Sequence, residues 1–339
     1  MKTFSEIIGQ ERAIGFLKKA IASGRIPHAF LFTGISGVGK TTTATAFTQA
    51  INCLEPVENN GCGKCLICRQ INSGNFPDLI SFEPDGQNIK IEQIRELNRS
   101  LSFKPLAGKY RVTIINQAET MTEDAANSLL KTLEEPPPGN ILILKTVEPR
   151  DLLSTVVSRC QRIPFQPLLF QVIKEWLIKE MHMDKETAWL VARLSEGSLG
   201  RAVKIAETNF LEEREERIAD IAQLPGISKY QLLVMAQEYA GKTKKTDREV
   251  SKTADLSELF GIWKTWYRDL IMMKMNSTHT MVINADFSRE LKNASKKITI
   301  DNLIEGFMIL DQAQRDLSRN LNAGLIMENT LLNLKRLSN

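Results

Sequence analysis

Two rhythms of apolar positions divide the chain. Up to about residue 166, short continuous apolar runs alternate with stretches whose apolar residues recur every three or four positions; beyond it only the second kind remains. Runs at 29–32, 79–82, 111–116, 141–144 and 162–165 predict buried strands. Between them, Ala13, Phe16, Leu17, Ala20 and Ile21, closed by Gly24, predict a helix. So do the run 40–52 and the set Ala125, Ala126, Leu129, Leu130 and Leu133. Thr122 is placed to cap this last helix, Glu123 and Asp124 sit in its first turn, and Pro136-Pro137-Pro138-Gly139 ends it. Ile89, Ile91, Ile94, Leu97 and Leu101 read as a strand passing into a helix, and 152–157 as a short helix. Such alternation predicts an α/β domain: a parallel sheet with helices on both faces.

After Pro167 the spacing is helical throughout. Residues 170–180 and 184–194 predict two helices, followed by Glu196-Gly197-Ser198-Leu199-Gly200-Arg201-Ala202, in which Gly197 suits a helix C-cap. Residues 167–208 thus form a small helical lid, and 209–339 an all-helical part, after a first domain of 1–166. Within the last part, 242–252 is polar and expected to be an exposed loop. Leu256, Leu259, Phe260, Trp263, Tyr267, Leu270 and Ile271 predict one long buried face. Two more helices follow, carrying Leu303, Phe307, Leu310 and Leu317, then Met327, Leu331 and Leu334.

Composition changes this picture little. A chain of 339 residues suits two or three domains, and a net charge of +4 is compatible with nucleic acid nearby without arguing for it. No apolar run approaches the ~20 residues that span a bilayer, and no cleavage signal follows Met1, so a cytoplasmic protein without membrane partners is expected.

The candidate chemistry begins directly after the first strand. Gly34-Ile35-Ser36-Gly37-Val38-Gly39-Lys40-Thr41-Thr42 has the phosphate-loop spacing, and it lies between a strand and a helix, as that motif requires. Glycines let backbone N–H groups face phosphate oxygens at a helix N-terminus. Lys40 can reach the terminal phosphates of ATP, and the Thr41 hydroxyl can ligate Mg²⁺. A hydrolysing site also needs acids at the end of a nearby strand, to place the metal and activate water. Here 112–115 runs into Asn116-Gln117-Ala118-Glu119. Asn116 offers an uncharged oxygen, Gln117 cannot take a proton, and Glu119 lies further along, so poor hydrolysis is expected; the alternative is that another carboxylate reaches in from elsewhere.

Four of the five cysteines crowd together as Cys53-x8-Cys62-x2-Cys65-x2-Cys68. Four thiolates can close a tetrahedral, structural Zn²⁺ site. A redox Cys-x-x-Cys, an iron–sulfur cluster or free thiols are the alternatives. Cys160 is distant and is expected to be a buried structural thiol.

Taken in order, Ile7-Ile8-Gly9-Gln10, His28-Ala29-Phe30-Leu31-Phe32, the phosphate loop, the cysteine insert, Ala125-Ala126-Asn127-Ser128-Leu129-Leu130-Lys131-Thr132-Leu133-Glu134-Glu135-Pro136-Pro137 and Ser158-Arg159-Cys160-Gln161 resemble bacterial DNA polymerase III clamp-loader subunits of the AAA+ class. The likeness is strong over 1–208 and looser in the C-terminal helices, through Leu317-Ser318-Arg319-Asn320 and 325–334. Two kinds of subunit share these motifs, a gamma/tau motor ATPase and a stator. Asn116-Gln117 in place of two acids, Gly200 where the motor places a sensing arginine, and an end at Asn339 without a long extension favour the stator. The motor, or an independent P-loop ATPase, is the alternative. Asn75-Phe76-Pro77-Asp78 departs from the family's His-Pro-Asp, with no functional weight attached.

The resemblance implies an AAA+ domain with a zinc insert, then a lid and a C-terminal oligomerisation collar. It implies a hetero-pentameric ring with delta and gamma/tau subunits, which loads a sliding clamp onto primed DNA. Arg159 would be an arginine finger acting in trans on a neighbour's ATP; alone, it reads equally as a surface ion pair. Thr146 stands at the first phosphate sensor and Arg201 one residue from the second. Ile8, with Ile7 and Gly9, would line an adenine pocket, or else be ordinary core. Lys131 could face DNA or a neighbour, though such a residue is commonly solvated.

Overall fold

A computed structural model describes residues 3–241, 249–275, 282–318 and 321–337. Its contacts divide the chain into two compact units, Met1–Lys204 and Ile205–Asn339. The division falls near the end of the segment 167–208 expected as a lid.

The first unit is built on five strands: β1 (Ala29–Thr33), β2 (Leu79–Phe82), β3 (Arg111–Ile115), β4 (Asn140–Thr146) and β5 (Gln161–Pro164). They form one parallel sheet in the order β2-β3-β4-β1-β5. Helices α1 (Glu11–Ser23), α2 (Lys40–Asn52), α3 (Leu66–Asn72), α4 (Ile91–Leu101), α5 (Glu123–Glu134) and the short α6 (Ser154–Val157) accompany it. On one face Phe30 and Phe32 pack with Leu17 and Phe47; on the other Leu31 packs with Leu97, Leu129 and Leu133. Burial on both faces is why β1 and β3 read as unbroken apolar runs. The Thr122 hydroxyl caps α5, accepting the Ala125 N–H at 3.3 Å.

Helices α7 (Phe170–Glu180), α8 (Lys185–Leu194) and α9 (Leu199–Glu207) follow the sheet. Gly197 does not cap α8 directly. Ser195 does, and Glu196 at φ 52° comes before Gly197 at φ 87°, so two left-handed residues turn the chain. Cys160 is only partly buried, at the edge of the second core. Burial pushes its thiol pKa up to about 12.

The second unit comprises α10 (Phe210–Gln223), α11 (Lys229–Gly241), α12 (Glu249–Lys274), α13 (Ser288–Lys297), α14 (Ile300–Ser318) and α15 (Ala323–Leu337). Leu256, Phe260, Trp263, Tyr267 and Leu270 of α12 are buried as their spacing predicts, together with Leu303, Leu310, Met327, Leu331 and Leu334. Phe307 is only partly buried, under the Lys264 ammonium 5.2 Å from its ring. The polar loop expected at 242–252 is corrected in part: 249–252 begin α12, and 242–248 lie outside the described residues, as do Arg319 and Asn320.

One buried carboxylate braces the first unit where no role was expected for it. Asp78, fully buried before β2, accepts the backbone N–H groups of Leu106 (2.8 Å), Ala107 (2.6 Å) and Gly108 (2.8 Å). It also pairs with Arg111 Nε at 3.4 Å. Burial works to raise its pKa, but the three amides and Arg111 outweigh it and hold the carboxyl below its ordinary range. Its stabilisation is full above about pH 4 and is lost as pH falls through the lowered pKa. Asp78→Ala leaves three amides without their acceptor and Arg111 with only the carbonyls of Ser100, Phe103 and Lys104, so a loss of about 3–5 kcal/mol is expected. The urea-unfolding midpoint of the first unit checks this.

Candidate functional site

The cleft lies at the carboxyl ends of the parallel strands, where open α/β sheets bind ligands. Four adjacent strands each direct one side chain into it. Thr41 lies in the first turn of α2 after β1, Lys145 is next to last in β4, Asn116 follows β3 and Glu83 follows β2. These side chains form a continuous row. The Lys145 ammonium donates to Thr41 Oγ1 at 2.5 Å and also to Asn116 Oδ1. Asn116 Nδ2 in turn donates to Glu83 Oε1 at 2.5 Å and to Ser81 Oγ at 2.8 Å.

The phosphate loop has its expected form between β1 and α2. Lys40 is 7% exposed and folds back, donating to the carbonyls of Gly34 and, at 2.9 Å, Ile35. Burial first, then the neighbouring Lys145, lower its pKa to about 8, while Glu119 pulls the other way. Burial lowers the pKa of Lys145 too, against the pull of Glu83 and Glu119. Glu119, in a 3-10 turn at Ala118–Thr120, lines the cleft beside Lys40, Asn116, Gln117 and Lys145.

A second cavity, of about 410 Å³, opens on the other side of the loop. Ile7 and Ile8 face Gly37, Val38, Gly39, Lys40, Thr41 and Thr42 across it, with Leu168 and Trp176 at the side. That volume suits a small ligand. Gln10 holds the N-terminal segment in place: its side-chain amide donates to Gln166 O (2.7 Å) and Val38 O (3.3 Å), and its Oε1 accepts Gln166 N–H (3.0 Å). The residues after α8 close the loop from above. The Ser198 hydroxyl donates to Ser36 O at 2.8 Å, and Gly200 N–H donates to Gly37 O at 2.9 Å. A Cβ on Gly200 would stand 2.9 Å from Gly37 Cα, so only glycine permits this approach.

The structure therefore brings Ile8 and residues 36–42 of the loop together around one cavity, with Gly34 and Ile35 outside its lining. It places Arg201 beyond Gly37, paired with Glu196 at 2.9 Å in a separate cleft. Thr146 is buried and its hydroxyl turns to Glu148 O (3.1 Å), while its neighbour Lys145 reaches the loop. Arg159 lies at the surface, its guanidinium bound to Glu134 Oε1 (2.5 and 2.9 Å) and to Thr155 O (2.9 Å). Lys131 is exposed on α5. Sequence reasoning passed over Lys145 and Glu83. The only signal was a lone lysine interrupting an apolar strand, next to the position of interest.

Mg²⁺ does not fit between Thr41 and Asn116 as they are arranged here, although the carboxylates of Glu83 and Glu119 line the same cleft. Its two protein oxygens at such a site are the loop hydroxyl and the strand-end carboxylate. Here Thr41 and an uncharged Asn116 already accept from an ammonium.

The cysteines form a separate centre. The sulfurs of Cys53, Cys62, Cys65 and Cys68 all lie within 4.8 Å of one another, a donor set that could hold a metal ion. Cys53 and Cys65 are 3.9 Å apart; sulfurs of a tetrahedral zinc site stand about 3.8 Å apart. Backbone N–H groups of Cys62, Cys65 and Cys68 donate to the sulfurs of Cys53 (3.2 Å), Cys62 (3.3 Å) and Cys65 (3.5 Å). Such donors orient and stabilise ligating thiolates. N–H groups of Cys65 and Lys64 lower the Cys62 pKa to about 6, and burial raises those of Cys53 and Cys68. Ile67, Ile71 and Phe76 form a small core beneath, and Gln49 ties the module to α2 through Asn72 Oδ1 at 2.6 Å.

Comparison with known proteins gives matches along most of the chain. Residues 9–169 fit the family model described as DNA polymerase III, delta subunit, and 249–336 that described as its C-terminal part. The chain is 30% identical to DNA polymerase III subunit delta' of Bacillus subtilis, over 96% of each protein. It is 28% identical to subunit tau/gamma of Haemophilus influenzae, over 98% of this chain and 49% of that one. With subunit tau of Escherichia coli the identity is 35% over 61% of this chain and 33% of that one, so the chain spans half or less of these tau relatives. Among solved structures, a DNA polymerase III gamma subunit-related protein of Thermotoga maritima aligns with TM-score 0.46 and 20% identity, over 96% of this chain and 99% of that one.

The seating of Gly200 on the loop is directly testable. Gly200→Val should break its contact with Gly37. Amides within 196–204 should then exchange about five- to tenfold faster, as losing a hydrogen bond of ~1 kcal/mol implies. Hydrogen exchange read by mass spectrometry checks this.

Proposed function

We propose, for a chain that belongs to the family of bacterial DNA polymerase III clamp-loader subunits, that it serves as the delta prime subunit and acts on ATP chemistry at a neighbour's site more than at its own. The observation that carries this reading is the strand-end pair Asn116-Gln117, with Asn116 Oδ1 and Thr41 Oγ1 engaged by Lys145. A motor subunit needs acids there to place a metal and activate water. At the strand-end positions this chain offers two amides and an ammonium, and its nearest carboxylates, Glu83 and Glu119, come from outside the pair. Full-length identity to a delta' subunit supports the same reading.

In this role the chain is a stator in a hetero-pentameric ring with delta and gamma/tau subunits. The ring loads a sliding clamp onto primed DNA in the cytoplasm. Residues 1–166 supply the AAA+ domain, 167–208 the lid, and 209–339 the collar that joins the ring. No helix among the described residues is long and apolar enough to cross a membrane. The loop 34–42 with Ile8 retains a nucleotide pocket for ATP. Thr146 stands at, and Arg201 one residue from, the two positions where relatives of this kind sense phosphate, both outside the pocket lining. Arg159 acts in trans. Released from Glu134, its guanidinium would meet the charge that develops on a phosphoryl group in the adjoining subunit. Its exposure and its single carboxylate partner leave it available for that exchange.

The cysteine centre is a structural Zn²⁺ site formed by Cys53, Cys62, Cys65 and Cys68. All four ligands come from protein, so no position remains for substrate. The module has only a small apolar core, and the metal supplies the rest of its ordering.

Two measurements test this reading. In the reconstituted loader, Arg159→Ala should slow turnover at the site it serves by on the order of 10³-fold or more, with assembly by gel filtration unchanged. Unchanged loader ATPase removes the finger assignment. Elemental analysis should find about one zinc per purified chain, and Cys65→Ser should abolish it. A metal-free wild-type protein with four titratable thiols in 53–68 removes the zinc centre.

A further inference from the structure

The row across the carboxyl ends of the strands contains a cation in an unusual place. A P-loop site with a metal holds it between the loop hydroxyl and the strand-end acid. Those two positions are Thr41 and Asn116, and the Lys145 ammonium donates to both. Lys145 lines the cavity that also holds Gly37, Gly39, Lys40 and Thr41, so its head faces the loop where phosphates would lie. An ammonium has three donors and no acceptor. Thr41 and Asn116 engage two of them, which leaves one for a phosphate oxygen.

The charges are complementary as well. A dication beside a carboxylate presents phosphates with one net positive charge. An ammonium beside an amide also places one positive charge next to the loop, with the carboxylates of Glu83, bonded to Asn116, and Glu119 in the same cleft. Asn116 and Lys145 thus form a matched pair of changes. An acid at 116 would pair directly with Lys145 and add a carboxylate to the two, Glu83 and Glu119, already in the cleft. A dication between Thr41 and Asn116 would meet the like charge of Lys145 within a half-buried site.

We propose that the Lys145 ammonium replaces the divalent cation of this phosphate site, so that the chain binds a nucleoside polyphosphate through Lys40 and Lys145 without a metal. This rests on the reading of 34–42 as a nucleotide pocket. It deepens that reading by naming the form of ligand taken: the metal-free polyphosphate. It also gives a second reason to expect weak hydrolysis. A single ammonium holds charge but cannot bridge two phosphates and order water as a six-coordinate ion does.

The test measures binding of a fluorescent ADP analogue to the full chain, in Mg²⁺ and in excess EDTA. The two dissociation constants should agree within about threefold, a difference under ~1 kcal/mol. Lys145→Met, which keeps the apolar stem, should weaken metal-free binding about tenfold or more. The double change Lys145→Ala with Asn116→Asp should bind about tenfold tighter in Mg²⁺ than in EDTA. Wild-type binding that weakens tenfold in EDTA overturns the proposal and leaves the pocket standing. So does undiminished metal-free binding by Lys145→Met. No binding by the wild type in either condition overturns the proposal and the pocket together.

Discussion

The contact of one ammonium with two oxygens organises the cleft. Lys145 reaches from β4 to Thr41 beyond β1 and to Asn116 beyond β3, so it ties the ends of three adjacent strands. A half-buried charge needs compensation, and this one finds it in two oxygens and in the field of Glu83 and Glu119. The geometry follows from the sheet. Parallel strands end at one edge, and register places Lys145 opposite Phe32, just before the loop leaves β1 at Thr33. A central position in the order β2-β3-β4-β1-β5 allows a β4 side chain to meet groups from strands on both sides.

Above the loop the constraint is steric. Gly37 lies at φ 74°, and Gly200 packs against it with no side chain on either residue. Hydrogen bonds from Ser198 and Gly200 then land on successive loop carbonyls. Gln10, itself at φ 66°, pins the N-terminal segment to Val38 and Gln166 from the other direction. The cavity beside Ile7 and Ile8 is therefore bounded by three separate stretches of chain, each fixed by backbone acceptors. Such contacts depend little on side-chain identity elsewhere, so the shape of the cavity does not require acids at the strand ends, where this chain has Asn116 and Gln117.

Much of this was legible in the chain. All five strands, the phosphate loop and the cysteine cluster were read from residue patterns, because buried parallel strands, glycine spacing and crowded thiols each leave a local mark. What was missed lacked such a mark. α11 buries Leu232 and Ala236 yet exposes Tyr230 and Leu233, and α13 buries only Leu291, so neither shows a clean apolar stripe. Asp78 looked idle because its partners, the amides of 106–108, lie about thirty residues away. Lys145 was overlooked for a related reason. In sequence it is one residue before Thr146, the position expected to sense phosphate. Strand alternation sends the two side chains to opposite faces, and it is the lysine that faces the loop.

Arg159 and Lys145 are both cations beside oxygen acceptors, but the surroundings of each separate their roles. Lys145 is half-buried, and two of its donors are held by groups anchored at strand ends, so moving it would expose an uncompensated site. Arg159 pairs with the half-exposed carboxylate of Glu134, in water and at the end of a helix. An exposed pair of this kind contributes about 0–1 kcal/mol, and salt screens it further. The guanidinium therefore gives up little when it leaves Glu134. A phosphoryl group that gains charge on its equatorial oxygens offers it a stronger, bidentate partner. In this chain the cation that is costly to move holds a site together, and the cation that is cheap to move is the one proposed to reach another subunit.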